Sequence, residues 1–163
     1  MDKKTLQTSF KTSFGWIIVT GTENFISKCS LSNKKPAKIK TSEPIPPFFK
    51  SVQNQIVEYC NGKQVDFSNV PVSLENMTTF QKRVLSALRD VKYGNTVTYK
   101  HLARLTGNPK SARAIGQVMA KNPIPIIIPC HRVIRSDGKM GGFSAMGGIK
   151  TKRRMIEMEN NHT

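Results

Sequence analysis

YKHLARLTGNPKSARAIGQVMAKNPIPIIIPCHRV, residues 99–133, decides the reading of this chain. Thr98, just before it, suits an N-cap for a short helix that Gly107 stops. GNPK (107–110) reads as a tight turn, and Ser111 as the cap of a second helix, ARAIGQVMAKN. Two short helices about a glycine-containing turn make a helix-turn-helix pattern, although many helix pairs share that spacing. IPIII follows, bounded by Pro123, Pro125 and Pro129. It is too short for a helix and reads as a buried run leading into Cys130 and His131.

Outward toward the C-terminus, SDGKMGGF (136–143) reads as a glycine-rich loop and IKTKRRMIEMEN (149–160) as a basic amphipathic helix. Its Lys152, Arg153 and Arg154 fit a solvated helix face. Toward the N-terminus, Thr78 or Thr79 caps a helix whose Phe80, Val84, Leu85, Leu88 and Val91 form one apolar stripe, and YGN (93–95) is a turn. DFSNVPVSLENM (66–77) is extended and joins two parts, 1–77 and 78–163. In the first part, FFKSVQNQIVEYCNGK (48–63) places Phe49, Val52, Ile56 and Tyr59 at helical spacing, with Gly62 as a stop. Residues 32–47 are polar, basic and proline-rich and predict a loop. Residues 14–31 predict two short strands in a hairpin-like pairing. No internal repeat is visible.

Composition limits the possibilities. A chain of 163 residues, 37% hydrophobic and 22% charged, buries a core, which excludes wholesale disorder. No apolar run reaches the roughly 18–20 residues of a membrane span, and no secretory signal is seen, so an intracellular, membrane-free protein is expected. Cys29, Cys60 and Cys130 are widely spaced, which disfavours a disulfide framework. The net charge is +16. Residues 82–163 hold 16 Lys and Arg against 4 Asp and Glu, whereas residues 1–81 hold 10 against 6. A basic half of this strength points to a polyanion partner, with nucleic acid first. An RNA-binding platform would need stacking aromatics, but the Phe, Tyr and Trp fall mainly at core positions.

Cys130 and His131 are the chemical candidates. A thiolate is the reactive form of cysteine, and an adjacent base with an orienting third group is the usual means of activation. A lone Cys-His pair also fits a buried packing cysteine. Three histidines without finger-like ligand spacing disfavour a metal site.

The ordered set Arg113-Ala114-Ile115-Gly116, Asn122-Pro123 and Pro129-Cys130-His131-Arg132-Val133 closely resembles the O6-alkylguanine-DNA alkyltransferase family, over about Phe80 to Glu159. The resemblance implies an α/β, ribonuclease-H-like N-terminal subdomain. It also implies an all-α, winged-helix-like C-terminal domain containing the helix-turn-helix. The implied partner is double-stranded DNA with an O6-alkylguanine, bound from the minor groove with the damaged base rotated out. The implied reaction is irreversible transfer of the alkyl group to Cys130, with O4-alkylthymine as a further substrate and no cofactor. His131 would take the thiol proton through a water, Glu157 would orient His131, Tyr99 would protonate the departing base, and Asn122 would hold the turn. Arg113 would fill the vacated stack, with the small Ala112, Ala114 and Gly116 allowing close approach. In the base pocket Val133 would offer its backbone carbonyl to the guanine amine, Ser144 would donate to O6, Phe143 and Met119 would form walls, and Lys150 would help fix the loop. Phe143 stands where the family has Tyr, and Ala145 and Met146 where it has glycines, so a narrowed pocket that slows bulky substrates is expected. Action as a monomer is expected, with cooperative binding along DNA left open, in the nucleus of a eukaryote or the cytoplasm or nucleoid of a prokaryote. The alternative is a non-catalytic, damage-sensing or regulatory helix-turn-helix protein; its relatives replace the cysteine, which this chain keeps.

Overall fold

The computed structural model describes residues 4–37, 39 and 43–162. Alternating burial builds the first sheet. Leu6, Thr8 and Phe10 point inward from β1 (Leu6–Thr12), and Ile17 and Val19 from β2 (Gly15–Gly21). β2 pairs antiparallel with both β1 and β3 (Ile26–Ser32), in the order β1-β2-β3. The expected hairpin is β2–β3; β1 is an added strand that its Ser- and Thr-rich sequence concealed. Part of the expected 32–47 loop, at 38 and 40–42, lies outside the described residues.

Helix α1 (Pro47–Cys60) buries Phe49, Val52, Ile56 and Tyr59, the predicted stripe. Gly62 follows with φ +89°, a conformation glycine adopts without a Cβ penalty. Helix α2 (Thr79–Arg89) starts with a reciprocal box: Gln81 N–H donates to Thr78 Oγ1 at 3.2 Å, and Thr78 N–H to Gln81 Oε1 at 2.8 Å. Thr98 caps α3 (Tyr99–Leu105) through a 3.0 Å bond from His101 N–H. Ser111 precedes α4 (Ala112–Ala120) but does not cap it; its hydroxyl donates instead to Asn108 O at 2.6 Å, tightening the turn. The last helix is α5 (Gly148–Asn161).

The C-terminal part is therefore helical, as expected, but not wholly. Val97–Thr98 (β4) and Val133–Ile134 (β5) form a short parallel pair. Strands of two residues leave no periodic trace in sequence, yet this pair fixes the start of α3 beside the segment that follows Cys130.

The two parts share one apolar core, from Leu6 and Phe10 through Ile56 and Leu88 to Ile128 and Met155. Polar ties reinforce the seam. Cys29 N–H donates to Pro123 O (2.9 Å), Tyr93 hydroxyl to Gly62 O (3.0 Å), and Arg89 to the carbonyls of Phe67, Ser68 and Val70. Arg154 of α5 stacks over Phe14, 4.4 Å from its centroid, and donates to Ser13 O.

Candidate active site

The buried isoleucine run positions Cys130. Ile124, Ile126, Ile127 and Ile128 are each at most 1% exposed. Ile126 adopts φ +73°, which a β-branched residue rarely does. Asn122 clips this segment: its Nδ2 donates to Ile128 O (2.9 Å) and its Oδ1 accepts from Ile124 N–H (3.0 Å). Asn122 thus holds the turn, as expected. The chain then makes a 3-10 turn, Cys130–Arg132, that sets Cys130 in a cavity of about 560 Å³. Tyr99, Ala112, Arg113, Gly116 and Met119 line one side, and Gly141, Gly142, Phe143 and Ser144 the other.

Behind the cysteine lies a buried polar hub. Glu159 Oε1 stands 2.6 Å from His131 Nε2 and accepts from Tyr59 hydroxyl at 2.8 Å. Arg132 Nε donates to both carboxylate oxygens (3.2 and 3.0 Å), Arg132 Nη2 to Oε1 (3.1 Å), and Gly94 N–H to Oε2 (3.1 Å). Burial would raise the Glu159 pKa, but the hydrogen bonds of His131 and Arg132 and the Arg132 charge outweigh it and hold the carboxyl at about 2. Burial pushes His131 down, against Glu159, so the imidazole is neutral. An ionised carboxylate only accepts, so the 2.6 Å contact places the ring proton on Nε2. Nδ1 is then an acceptor, buried and without a protein hydrogen-bond partner among the described residues.

This hub corrects one assignment. The carboxylate on His131 is Glu159, and Glu157 is exposed. Two residues turn a helix by about 200°, so one of the two must face away from the core. The lysine assignment moves by the same two positions. Lys150 is exposed, whereas Lys152, fully buried, donates from Nζ to Val133 O (2.5 Å) and Gly142 O (3.1 Å), tying the glycine loop to β5. The signal was present in the sequence: Met155 and Ile156 mark the buried face of α5, and Lys152 and Glu159 lie three residues before one and after the other. The solvated face expected for Lys152, Arg153 and Arg154 thus holds for the two arginines alone. Val133 does not line the cavity, and its carbonyl already accepts from Lys152.

The expected narrowing by Ala145 and Met146 is also absent. Neither lines the cavity; the Met146 methyl reaches instead to Gly15 at the β1–β2 turn, where an added Cβ would stand 3.2 Å from it. Gly141, by contrast, is required. Its φ is +69°, and a Cβ there would meet the Tyr99 hydroxyl at 2.6 Å.

Burial raises the Cys130 pKa above that of an ordinary thiol, against the opposing pull of Asn122, Lys152 and two backbone N–H groups. The resting group is therefore a thiol. Lys152, desolvated, falls to about 8, with Cys130 nearby acting to raise it. Burial, then Cys130, pushes the Tyr99 phenol up, so it keeps its proton as a donor.

Lys100 and Arg104 of α3, Lys110 in the turn, Arg113 of α4 and Lys121 just after it are all exposed. The chain has no Asp or Glu between Asp90 and Asp137, so no acidic residue falls among them in sequence. Arg113 stands at the cavity rim; Ala112 and Gly116 line the cavity, and Ala114 a shallow neighbouring depression.

The chain is similar to known proteins along most of its length. Residues 79–161 match the family described as 6-O-methylguanine DNA methyltransferase, DNA binding domain, and residues 5–74 its ribonuclease-like domain. A methylated-DNA–protein-cysteine methyltransferase of Haemophilus influenzae is 42% identical over 113 residues, 69% of this chain and 62% of that protein. The first curated relatives are thus matched over somewhat less than two thirds of their own length. One from Methanosarcina acetivorans is 35% identical over 92% of this chain and 95% of its own length. The crystal structure of Mycobacterium tuberculosis OGT in complex with DNA superposes with a TM-score of 0.81 at 33% identity, covering 95% of this chain and 92% of that one. The chain belongs to the 6-O-methylguanine DNA methyltransferase family.

Proposed function

We propose that this protein repairs DNA by taking the alkyl group from O6-alkylguanine onto Cys130. The observation that carries this reading is the placement of Cys130 in a cavity with His131 and the ionised Glu159 behind it. The Cys130 proton passes through a water to His131 Nδ1. The sulfur lone pair forms the bond to the alkyl carbon as the carbon–O6 bond breaks, and the Tyr99 hydroxyl supplies the proton that lets guanine leave neutral. The product thioether is stable to water and thiols, so each molecule acts once.

Duplex DNA is the partner. The basic face of α3 and α4 neutralises phosphates, and the small Ala112, Ala114 and Gly116 let α4 approach the minor groove. Arg113, at the rim, fills the stack when the base rotates into the cavity. Phe143 and Met119 offer apolar walls, and Ser144 a donor to O6. The 1–77 unit, ribonuclease-H-like, braces the 78–163 unit, winged-helix-like, which binds DNA as a monomer. O4-alkylthymine, whose alkyl–oxygen bond is analogous, is a second substrate.

Intact-mass measurement after mixing with a duplex bearing one O6-methylguanine tests this reading. The expected result is the mass of one added methylene on Cys130, and Cys130→Ser that binds the duplex but stays unmodified. Unmodified wild-type protein with the lesion still present would refute it.

A further inference from the structure

We propose that Tyr59, from α1 of the N-terminal part, is a positioning residue for alkyl transfer: it holds His131 as the Nε2–H tautomer and keeps Nδ1 as the proton acceptor. This rests on the alkyl-transfer reading above. Tyr59 is 72 residues from His131 and 100 from Glu159 in sequence, yet its hydroxyl lies 3.0 Å from Nε2 and 2.8 Å from Glu159 Oε1. The side chain is fully buried, with edge-on ring contacts to Phe67 (5.8 Å) and Tyr93 (6.1 Å) that fix its direction.

The phenol has one proton. Glu159 only accepts, so that proton goes to Oε1, and a phenol lone pair is left facing Nε2. Both oxygens around Nε2 then present electron pairs to it, which a ring N–H satisfies and a ring lone pair does not. Were Nε2 unprotonated, the 2.6 Å contact with Glu159 would set lone pair against lone pair. Tyr59 and Glu159 together thus exclude the tautomer that would place a proton on Nδ1, where the thiol proton must go.

Tyr59 also sets how strongly Glu159 acts on the ring. The charged and titratable groups facing His131 are Glu159 and Lys152 from α5, Arg132 and Cys130 on its own turn, and Tyr59 from α1. Among them Tyr59 is a neutral donor that disperses the carboxylate charge. Without it, Glu159 stabilises imidazolium more, and His131 is harder to keep neutral. Burial already favours the neutral ring, and Tyr59 acts in the same direction.

The test uses the full chain, wild type, Tyr59→Phe and Tyr93→Phe, in single-turnover transfer from a duplex bearing one O6-methylguanine, across the pH range where histidine titrates. Losing one hydrogen bond of ordinary net strength predicts that Tyr59→Phe slows transfer by roughly 5–10-fold at neutral pH. The acid-side midpoint should rise by up to about one pH unit. Tyr93→Phe, which loses the bond to Gly62 O but none to Glu159, should keep the wild-type midpoint. A Tyr59→Phe profile with the wild-type midpoint overturns the proposal, whatever its rate. ¹⁵N shifts of His131 in the wild-type protein give a second readout that needs neither transfer nor a folded variant. Protonated Nδ1 overturns the proposal. Failure of the wild type to accept a methyl group, with Nε2 still protonated, would reject the transfer reading and not the tautomer assignment.

Discussion

Replacing Glu159 by Gln and, separately, Glu157 by Gln separates the two faces of α5. Glu159 is 1% exposed and accepts from Tyr59, Arg132 and Gly94 beside its contact with His131. Glu159→Gln leaves the Arg132 guanidinium, 5% exposed, without a countercharge. Breaking a buried pair from one side costs about 3–5 kcal/mol. Linkage gives a similar figure by another route. The Glu159 carboxyl falls from 4.5 to about 2, and at 1.36 kcal/mol per unit that is roughly 3 kcal/mol at neutral pH. For a chain of this size a loss of about 3 kcal/mol lowers Tm by roughly 6–12 °C. The sign with pH follows from the depressed pKa. The stabilisation is complete above pH 4.5 and is lost as pH falls through about 2, so wild-type Tm should approach that of Glu159→Gln in acid. Glu157 is exposed, and Glu157→Gln should change stability by less than about 0.5 kcal/mol. Thermal melts of the three proteins at neutral and acidic pH decide the matter. Equal losses in the two variants, or a Glu159→Gln deficit that persists undiminished in acid, would refute the reasoning.

Arg113→Ala should slow methyl transfer in duplex DNA by roughly 10–100-fold, since unstacking costs a few kcal/mol, and affect single-stranded substrate far less; paired single-turnover rates check this, and equal slowing in both would remove the stack-filling role. Met146→Gly should lower stability by about 1–2 kcal/mol through lost packing at Gly15, measured by denaturant unfolding, while leaving the ratio of benzyl to methyl transfer rates unchanged. A ratio that rises in favour of benzyl would return Met146 to the pocket wall.

What the sequence made legible depended on how local the determinant was. The caps at Thr78 and Thr98 and the stripe of α1 act within four residues, and each stands as expected. Cys130, Asn122 and Arg113 lie within short strings whose spacing is set by one turn or helix. The assignments that slipped, Glu157 for Glu159 and Lys150 for Lys152, both lie beyond the glycine loop. A spacing counted from Cys130 has to cross that loop, and a loop tolerates length changes that a helix does not. Helix phase, anchored on Met155 and Ile156, restores both at once. β1 and the β4–β5 pair escaped because alternation among Ser and Thr is faint and two-residue strands have none. Tyr59 was legible as core, but its hydroxyl partners lie on a different part of the chain.

Under the proposed alkyl transfer, the distribution of charge in the site leaves Cys130 as the last group to become charged. Four segments converge on Glu159: α1 through Tyr59, the turn at Gly94, the 3-10 turn through His131 and Arg132, and α5 itself. Folding therefore places a fixed, fully paired charge behind His131 and leaves Cys130 uncharged. A buried thiolate at rest would bear its desolvation cost continuously and would be open to any electrophile small enough to enter. With Cys130 held as a thiol by burial, that cost arises when the proton leaves for His131. The imidazolium so formed lies against Glu159, whose charge is already in place and requires no rearrangement at the moment of reaction. On that proposal, selectivity comes from the alkyl carbon having to be seated in the cavity before the sulfur becomes a nucleophile.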